Sequence, residues 1–254
     1  DLVIVSTVMP GYTDRLAGRL APGGWRVVYN PAFIALGSVL RNLEAPDLLL
    51  LGAEDAESAD RISEVWRRVL VNSPRIARLR RAEAEFAKIG LNSFLTLKIA
   101  FANALGDLVA RTSGSPDAVL SAIGEDRRVG HLFLGYGFGY GGPCLPRDNR
   151  ALNRAAADLG SAFPLGRAAD DANQAHLDFQ FETFPEARPD GSVFFDGVTY
   201  KPGSDSLEES QRLALAVRLA RSGRAVTVAE TAAVVATLKA LFGDLFQYEV
   251  RPGD

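Results

Sequence analysis

The run from Ala82 to Arg111 contains no proline and reads as one continuous helix. At 1.5 Å per residue it would be ~45 Å long, more than a small domain can surround. Its middle is apolar on most sides, through Phe94, Leu95, Leu97, Ile99, Phe101, Leu105 and Leu108. A helix apolar all round has to be covered, by neighbouring elements or by a second subunit. The rest of the chain must therefore be arranged on either side of this rod.

Before the rod, residues 1 to about 80 alternate strand and helix. Leu2–Ser6 and Trp25–Tyr29 read as short strands, and Asp47–Leu51 as a buried strand because its apolar run is continuous. A helix is expected near Asp55–Val71, with Ile62, Val65, Trp66 and Val69 on one apolar face, so Trp66 reads as core. After the rod, Ser115-Pro116 marks a helix start, serine at the N-cap and proline at the first helical position. Residues 191–254 give strand (Val193–Val198), helix (Glu208–Ser222), strand (Ala225–Val228), helix (Thr231–Phe242) and strand (Phe246–Val250), a pattern that implies parallel pairing. Pro185–Asp190 is the expected linker.

The 254 residues are 47% hydrophobic and 23% charged, enough apolar material for a packed core. A net charge of −3 offers no basic surplus for a nucleic-acid partner. One cysteine cannot form an internal disulfide, which favours a reducing, cytoplasmic setting, and no apolar run of about 18 residues suggests a membrane span. No metal site is expected.

That cysteine, Cys144, ends the segment Gly135-Tyr136-Gly137-Phe138-Gly139-Tyr140-Gly141-Gly142-Pro143 and is followed by Leu145-Pro146-Arg147-Asp148 and a helix-like run from Asn149 to Leu159. Dense glycine lets a backbone approach a ligand closely, a helix start favours anions, and a thiol held there is a better nucleophile. A lone cysteine is also, in many chains, a small buried apolar residue. Lys88 and Asn92, spaced i, i+4, share one face of the long helix, and Lys88 sits among Phe86, Ala87, Ile89 and Leu91. Both could equally be a solvated surface pair, and Asp148 a first-turn acid favoured by the helix dipole.

The stretch Asp126-Arg127-Arg128-Val129-Gly130, then Phe133-Leu134, then Gly139 to Asp148, resembles the UDP-glucose/GDP-mannose 6-dehydrogenase family. Glu83 to Leu95 is similar to that family's central helix. Ser6-Thr7-Val8-Met9-Pro10-Gly11-Tyr12-Thr13 and Asn30-Pro31-Ala32-Phe33 look like two loops of its cofactor domain, and Gly197 to Asp205 like the opening of its C-terminal domain. The matches run in the family's order.

The resemblance implies an α/β fold of two partial Rossmann-like parallel-sheet domains, 1–80 and 191–254, joined by a central helical region, 81–184, that makes a homodimer. It implies two-step NAD-dependent oxidation of a UDP- or GDP-sugar C6 alcohol to the uronic acid, through a thiohemiacetal and a thioester on Cys144. Lys88, Asn92, Asp148 and Thr7 would assist the chemistry. Arg128, Phe133, Leu134, Gly139, Tyr140, Gly141 and Lys201 would hold the substrate, with Arg128 reaching a neighbouring subunit. Ser6, Thr7, Gly142, Pro143 and Arg147 would meet NAD.

The chain also departs from the pattern. No Gly-x-Gly-x-x-Gly sits between a strand and a helix near its start, so it reads as lacking the first part of the cofactor domain. Ala32 and Leu36 stand where the family has acids assigned to thioester hydrolysis, Glu208 where it has an arginine facing cofactor phosphates, and Arg147 where it has lysine. A diverged homologue that keeps the pocket and the cysteine but does other chemistry or needs a partner chain, and a non-catalytic scaffold, therefore stay open beside the dehydrogenase reading.

Overall fold

The computed structural model describes residues 1–34, 37–184 and 191–251. Leu36 and the expected linker Pro185–Asp190 lie outside them. The chain packs as two compact units: Asp1–Asn92 with Ala151–Ala162, and Ser93–Arg150 with Phe163–Asp254.

The first unit carries β1 (Leu2–Ile4), α1 (Tyr12–Leu20), β2 (Val27–Tyr29), α2 (Val39–Glu44), β3 (Leu48–Gly52), α3 (Ala56–Arg67) and β4 (Arg75–Leu79), then the start of α4 (Arg81–Ala110). Its sheet has the order β1-β2-β3-β4. β1 and β2 are parallel, Leu2 opposite Val27, and β3 and β4 are parallel from Leu48↔Arg75 to Gly52↔Leu79. The two pairs meet antiparallel at a single position, Tyr29↔Gly52, which a purely parallel expectation misses. Apolar continuity in Leu48–Leu51 reports burial, not strand direction. Tyr29, Leu50 and Ala84 form the core of this unit. Gly52 lets α4 close on the sheet: a Cβ there would meet the Ala84 Cβ at 2.8 Å and the Arg81 Cα at 3.0 Å.

Asp55 caps α3, accepting the Ser58 N–H at 2.6 Å. That helix stops at Arg67, short of the expected Val71, and its predicted apolar face is incomplete, since Val65 and Val69 are exposed. Trp66 is half-buried and donates its indole N–H to the Asn30 side-chain oxygen at 2.6 Å. It fastens a loop as well as filling space.

The second unit takes the rest of α4, then α5 (Pro116–Gly124), α6 (Leu145–Asp158, shared with the first unit), α7 (Pro164–Thr183), β5 (Val193–Asp196), α8 (Gln211–Arg221), β6 (Val226–Glu230), α9 (Ala232–Phe242) and β7 (Gln247–Val250). Ser115 caps α5 as expected, accepting the Ala118 N–H. β5, β6 and β7 pair in that order, all parallel. Their core includes Val193, Phe195, Val198, Leu215, Leu219, Val228 and Leu238.

At 30 residues and a mean hydropathy of 1.3 over its most apolar window, α4 is long and apolar enough to cross a membrane, contrary to the sequence expectation. The core helix of a soluble protein has the same length and composition, so this carries no membrane reading.

Candidate functional site

In the second unit, the segment Gly135–Gly141 walls a cleft of about 390 Å³ together with Ile99, Phe133, Leu145, Tyr200 and Lys201. A loop so rich in glycine has little intrinsic order. Its shape is imposed from behind by α7. Asp170 accepts the Tyr140 hydroxyl, and Asn173 brackets the Tyr140 backbone, accepting its N–H at 2.9 Å and donating to its carbonyl at 3.0 Å. His176 and Gln180 both approach the Gly137 carbonyl, at 2.6 and 3.2 Å. These residues recur at three- and four-residue steps, one stripe of a helix. Helix α4 adds Asn103, which accepts the Gly137 N–H at 3.0 Å.

The glycines of the loop differ in the room around them. A β-carbon at Gly139 would run into the Asn173 side chain and one at Gly141 into the Glu209 carbonyl, while one at Gly142 would lie 2.5 Å from the Tyr200 ring. Gly135 and Gly137 have nothing within 4 Å of where a Cβ would stand.

Cys144 is exposed in the turn just before α6, which begins at Leu145, earlier than the expected Asn149. The bland reading of Cys144 as a small buried residue is thereby excluded. Asp148, one turn into α6, is fully buried and paired with Arg147, whose Nε and Nη2 both lie 2.8 Å from one carboxylate oxygen. Burial works against the Arg147 charge, but the Asp148 carboxylate, with Cys144 and Glu208, outweighs it and holds the guanidinium above its ordinary pKa. Glu208 therefore acts as a counter-charge to Arg147 as well as a departure from the family pattern. Buried Asn149 accepts from Ser93 at 2.7 Å and donates to the Gly166 carbonyl at 2.7 Å, tying α6 to α4 and α7.

The loop after β5 closes the cleft. The Glu230 carboxylate, at the end of β6, accepts the N–H groups of Val198 and Thr199 at 2.7 and 3.1 Å and so fixes the base of the loop that carries Tyr200 and Lys201. Burial, then the nearby Cys144 charge, pushes the Tyr200 phenol above its ordinary pKa, with Ser204 opposing.

In the first unit, Lys88 is buried, donates to the Ala32 carbonyl at 3.0 Å and stands 4.4 Å over the Phe33 ring. The solvated-surface reading of Lys88 fails, and the loop that resembles the family's acid-bearing one offers this lysine a carbonyl instead. Asn92 is half-buried on the same helix, and Ser6 and Thr7 lie in the loop from β1 to α1. Leu134, an expected contact, is buried with Ala102 and Leu120 and does not wall the cleft. Arg128, expected to reach a neighbouring subunit, is exposed and paired with Asp126 at 2.7 Å. Among the residues that sequence reasoning passed over are Asp107, Asp170, Asn173, His176 and Glu230. The polar stripe along Asp170, Asn173, His176 and Gln180 was the available signal.

The described residues do not complete a cradle for NAD. Where a strand-to-helix turn could receive a phosphate, at the start of α1, the Glu85 carboxylate already accepts the Gly11 and Thr13 N–H groups at 2.5 and 2.7 Å. Glu230, at the strand end where dinucleotide folds read a ribose, is 4% exposed and committed to its own loop.

Residues 82–175 match the central domain of the UDP-glucose/GDP-mannose dehydrogenase family. A UDP-glucose 6-dehydrogenase of Pseudomonas aeruginosa is 35% identical over 201 residues, 78% of this chain and 44% of that protein. One of Haloferax volcanii is 30% identical over 234 residues, 87% of this chain and 54% of that protein. The solved UDP-glucose dehydrogenase of the hyperthermophilic archaeon Pyrobaculum islandicum superposes with a TM-score of 0.86 at 30% identity, over 98% of this chain and 59% of that one. The chain spans about half the length of the curated relatives it matches.

Proposed function

We propose, from the premise that the chain belongs to the UDP-glucose/GDP-mannose dehydrogenase family, that it supplies the nucleotide-sugar pocket and the nucleophile of an oxidoreductase that converts the C6 alcohol of a UDP- or GDP-sugar to the carboxylic acid. The observation that carries the reading is an exposed Cys144 opening α6 beside the glycine-loop cleft. Lys201 suits a diphosphate, and Phe133 offers an apolar face to a base.

In this reading the Cys144 thiolate adds to the C6 aldehyde and gives a thiohemiacetal; after its oxidation, water releases the thioester as acid. Covalent capture keeps the aldehyde from escaping. Ala32 has no carboxylate to activate that water, so release of the acid is the slow step. The oxidations belong to NAD, whose cradle the described residues do not complete. Lys88, Asn92 and Asp148 remain the groups proposed to manage protons and oxyanions.

A homodimer through α4 is part of the proposal. Phe94, Phe101 and Leu108 stand seven residues apart along one side of that helix, each more than half exposed. A heptad stripe of this kind seats against a second copy of itself. Calorimetry tests the binding claim. UDP-glucose or GDP-mannose should bind and Lys201→Ala should weaken binding about tenfold, the worth of a charge-assisted phosphate contact; no binding of any UDP- or GDP-sugar would overturn it.

A further inference from the structure

His176 is 1% exposed and makes contacts through both ring nitrogens. Nδ1 lies 2.9 and 2.8 Å from the two carboxylate oxygens of Asp107, and Nε2 lies 2.6 Å from the Gly137 carbonyl oxygen. A carboxylate and a carbonyl are both acceptors, so each nitrogen has to donate, and a ring that donates twice is the imidazolium. The Asp107 carboxylate is well supplied as its counter-ion, because it also accepts the Tyr136 hydroxyl at 2.8 Å. Tyr136 lies edge-on to the imidazole at 5.6 Å. Its phenol is held above its ordinary pKa by burial and then by Asp107, which keeps it a donor. Arg111, one turn beyond Asp107 on α4, packs over the Phe179 ring of α7 at 5.0 Å.

Neutral imidazole has one N–H for two acceptors. The proton stays with the charged partner, Asp107, and leaves an Nε2 lone pair facing a carbonyl oxygen at hydrogen-bond distance. That contact is repulsive and it bears on Gly137, in the wall of the cleft.

We propose that His176 is a positioning residue for the glycine loop: donating from both ring nitrogens, to Asp107 and to the Gly137 carbonyl, it holds the cleft in its binding shape, and removal of these donors loosens the loop and weakens nucleotide-sugar binding. The ligand named here rests on the function proposed above; the clamp itself does not.

The chain has two histidines, so the test is clean. Imidazole nitrogen NMR of the whole chain reads the protonation of His176 directly, with exposed His131 as the internal reference and His131→Gln to assign the signals. His176 should show two N–H groups, and Asp107→Asn should remove one of them. Calorimetry then compares UDP-glucose binding at one pH: His176→Phe, which has no ring N–H, should raise Kd about fivefold, the worth of one hydrogen bond, and His176→Gln, which keeps a donor, should bind more tightly than His176→Phe. A single N–H on His176, or equal binding by wild type and His176→Phe, overturns the proposal. If wild type binds no nucleotide sugar, hydrogen exchange of residues 135–142 replaces calorimetry. Lower protection in His176→Phe than in wild type and His176→Gln supports the clamp and leaves only the ligand assignment to fall, and equal protection in all three overturns the clamp.

Discussion

The backbone carbonyl of Glu209 lies against the α-carbon of Gly141, so that any β-carbon at position 141 would run into it. The obstruction cannot swing away, because it is backbone. Glu209 is itself held at φ 47, beside a neighbour, Glu208, whose carbonyl accepts the Gly142 N–H at 3.0 Å. Gly141→Ala should therefore destabilise the chain by about 1–3 kcal/mol, the usual cost of overpacking, and remove nucleotide-sugar binding. Gly137→Ala has open space and should keep wild-type stability to within about 0.5 kcal/mol, as changes free of packing conflict do. Urea unfolding of the two variants checks both.

Glu85 and Thr13 make a second pair with opposite expectations. The buried Glu85 carboxylate uses both oxygens on the Gly11 and Thr13 amides, whereas the buried Thr13 hydroxyl has no hydrogen-bond partner. Glu85→Gln puts an N–H donor against an N–H donor and should cost about 1.5–3 kcal/mol, the range for hydrogen bonds to charged groups. Thr13→Val removes an unsatisfied hydroxyl and should raise stability by about 1 kcal/mol. Thermal unfolding of both variants measures the contrast in sign.

Cys144 can be read by chemistry that needs no cofactor. It is the only cysteine and it is exposed. Iodoacetamide should label one site, and saturating UDP-glucose should slow labelling at least about tenfold by covering the cleft. Mass spectrometry follows the reaction, with Cys144→Ser as the blank. Labelling that is indifferent to every UDP- and GDP-sugar would place the thiol outside the binding site.

Alkaline pH should expose the Tyr140–Asp170 contact. Burial first, then the Asp170 carboxylate, pushes the Tyr140 phenol above its unfolded value of 10.0. A raised folded value means the stabilisation is complete below that pH and drains away as pH rises beyond it. Tyr136 shifts in the same direction, by burial and then Asp107. Wild type should lose stability above about pH 10. Tyr140→Phe, less stable at neutral pH because Asp170 loses a donor, should show a shallower decline. Chemical denaturation across that range gives both slopes.

Much of this was legible in the residues, and the failures have physical causes. A proline-free apolar run gave α4 within a residue at either end, and Ser115-Pro116 gave the start of α5, because both signals are local. The alternation in 191–250 gave the parallel β5-β6-β7 unit for the same reason. β4 escaped notice because Arg75 and Arg78 interrupt a short run at a sheet edge. Helix α7 falls inside the region read as helical over 81–184, but its bounds escaped because its inward stripe is polar, and apolar periodicity is blind to a face that packs through hydrogen bonds. His176 and Asp107 are 69 residues apart, and nothing local in a sequence announces such a meeting. The motif puts Leu134 at the ligand, but a motif fixes neighbours along the chain rather than the direction of a side chain, and this one turns inward with Ala102 and Leu120.

The unequal room around the loop glycines sets which way this cleft can evolve. Along Gly139, Gly141 and Gly142 every added carbon meets protein, so that wall is frozen. Along Gly135 and Gly137 an added methyl meets nothing, and both residues face the cleft. A lineage could therefore narrow the pocket one carbon at a time from that side and trade one sugar for another, while the frame that presents Cys144 stays as it is.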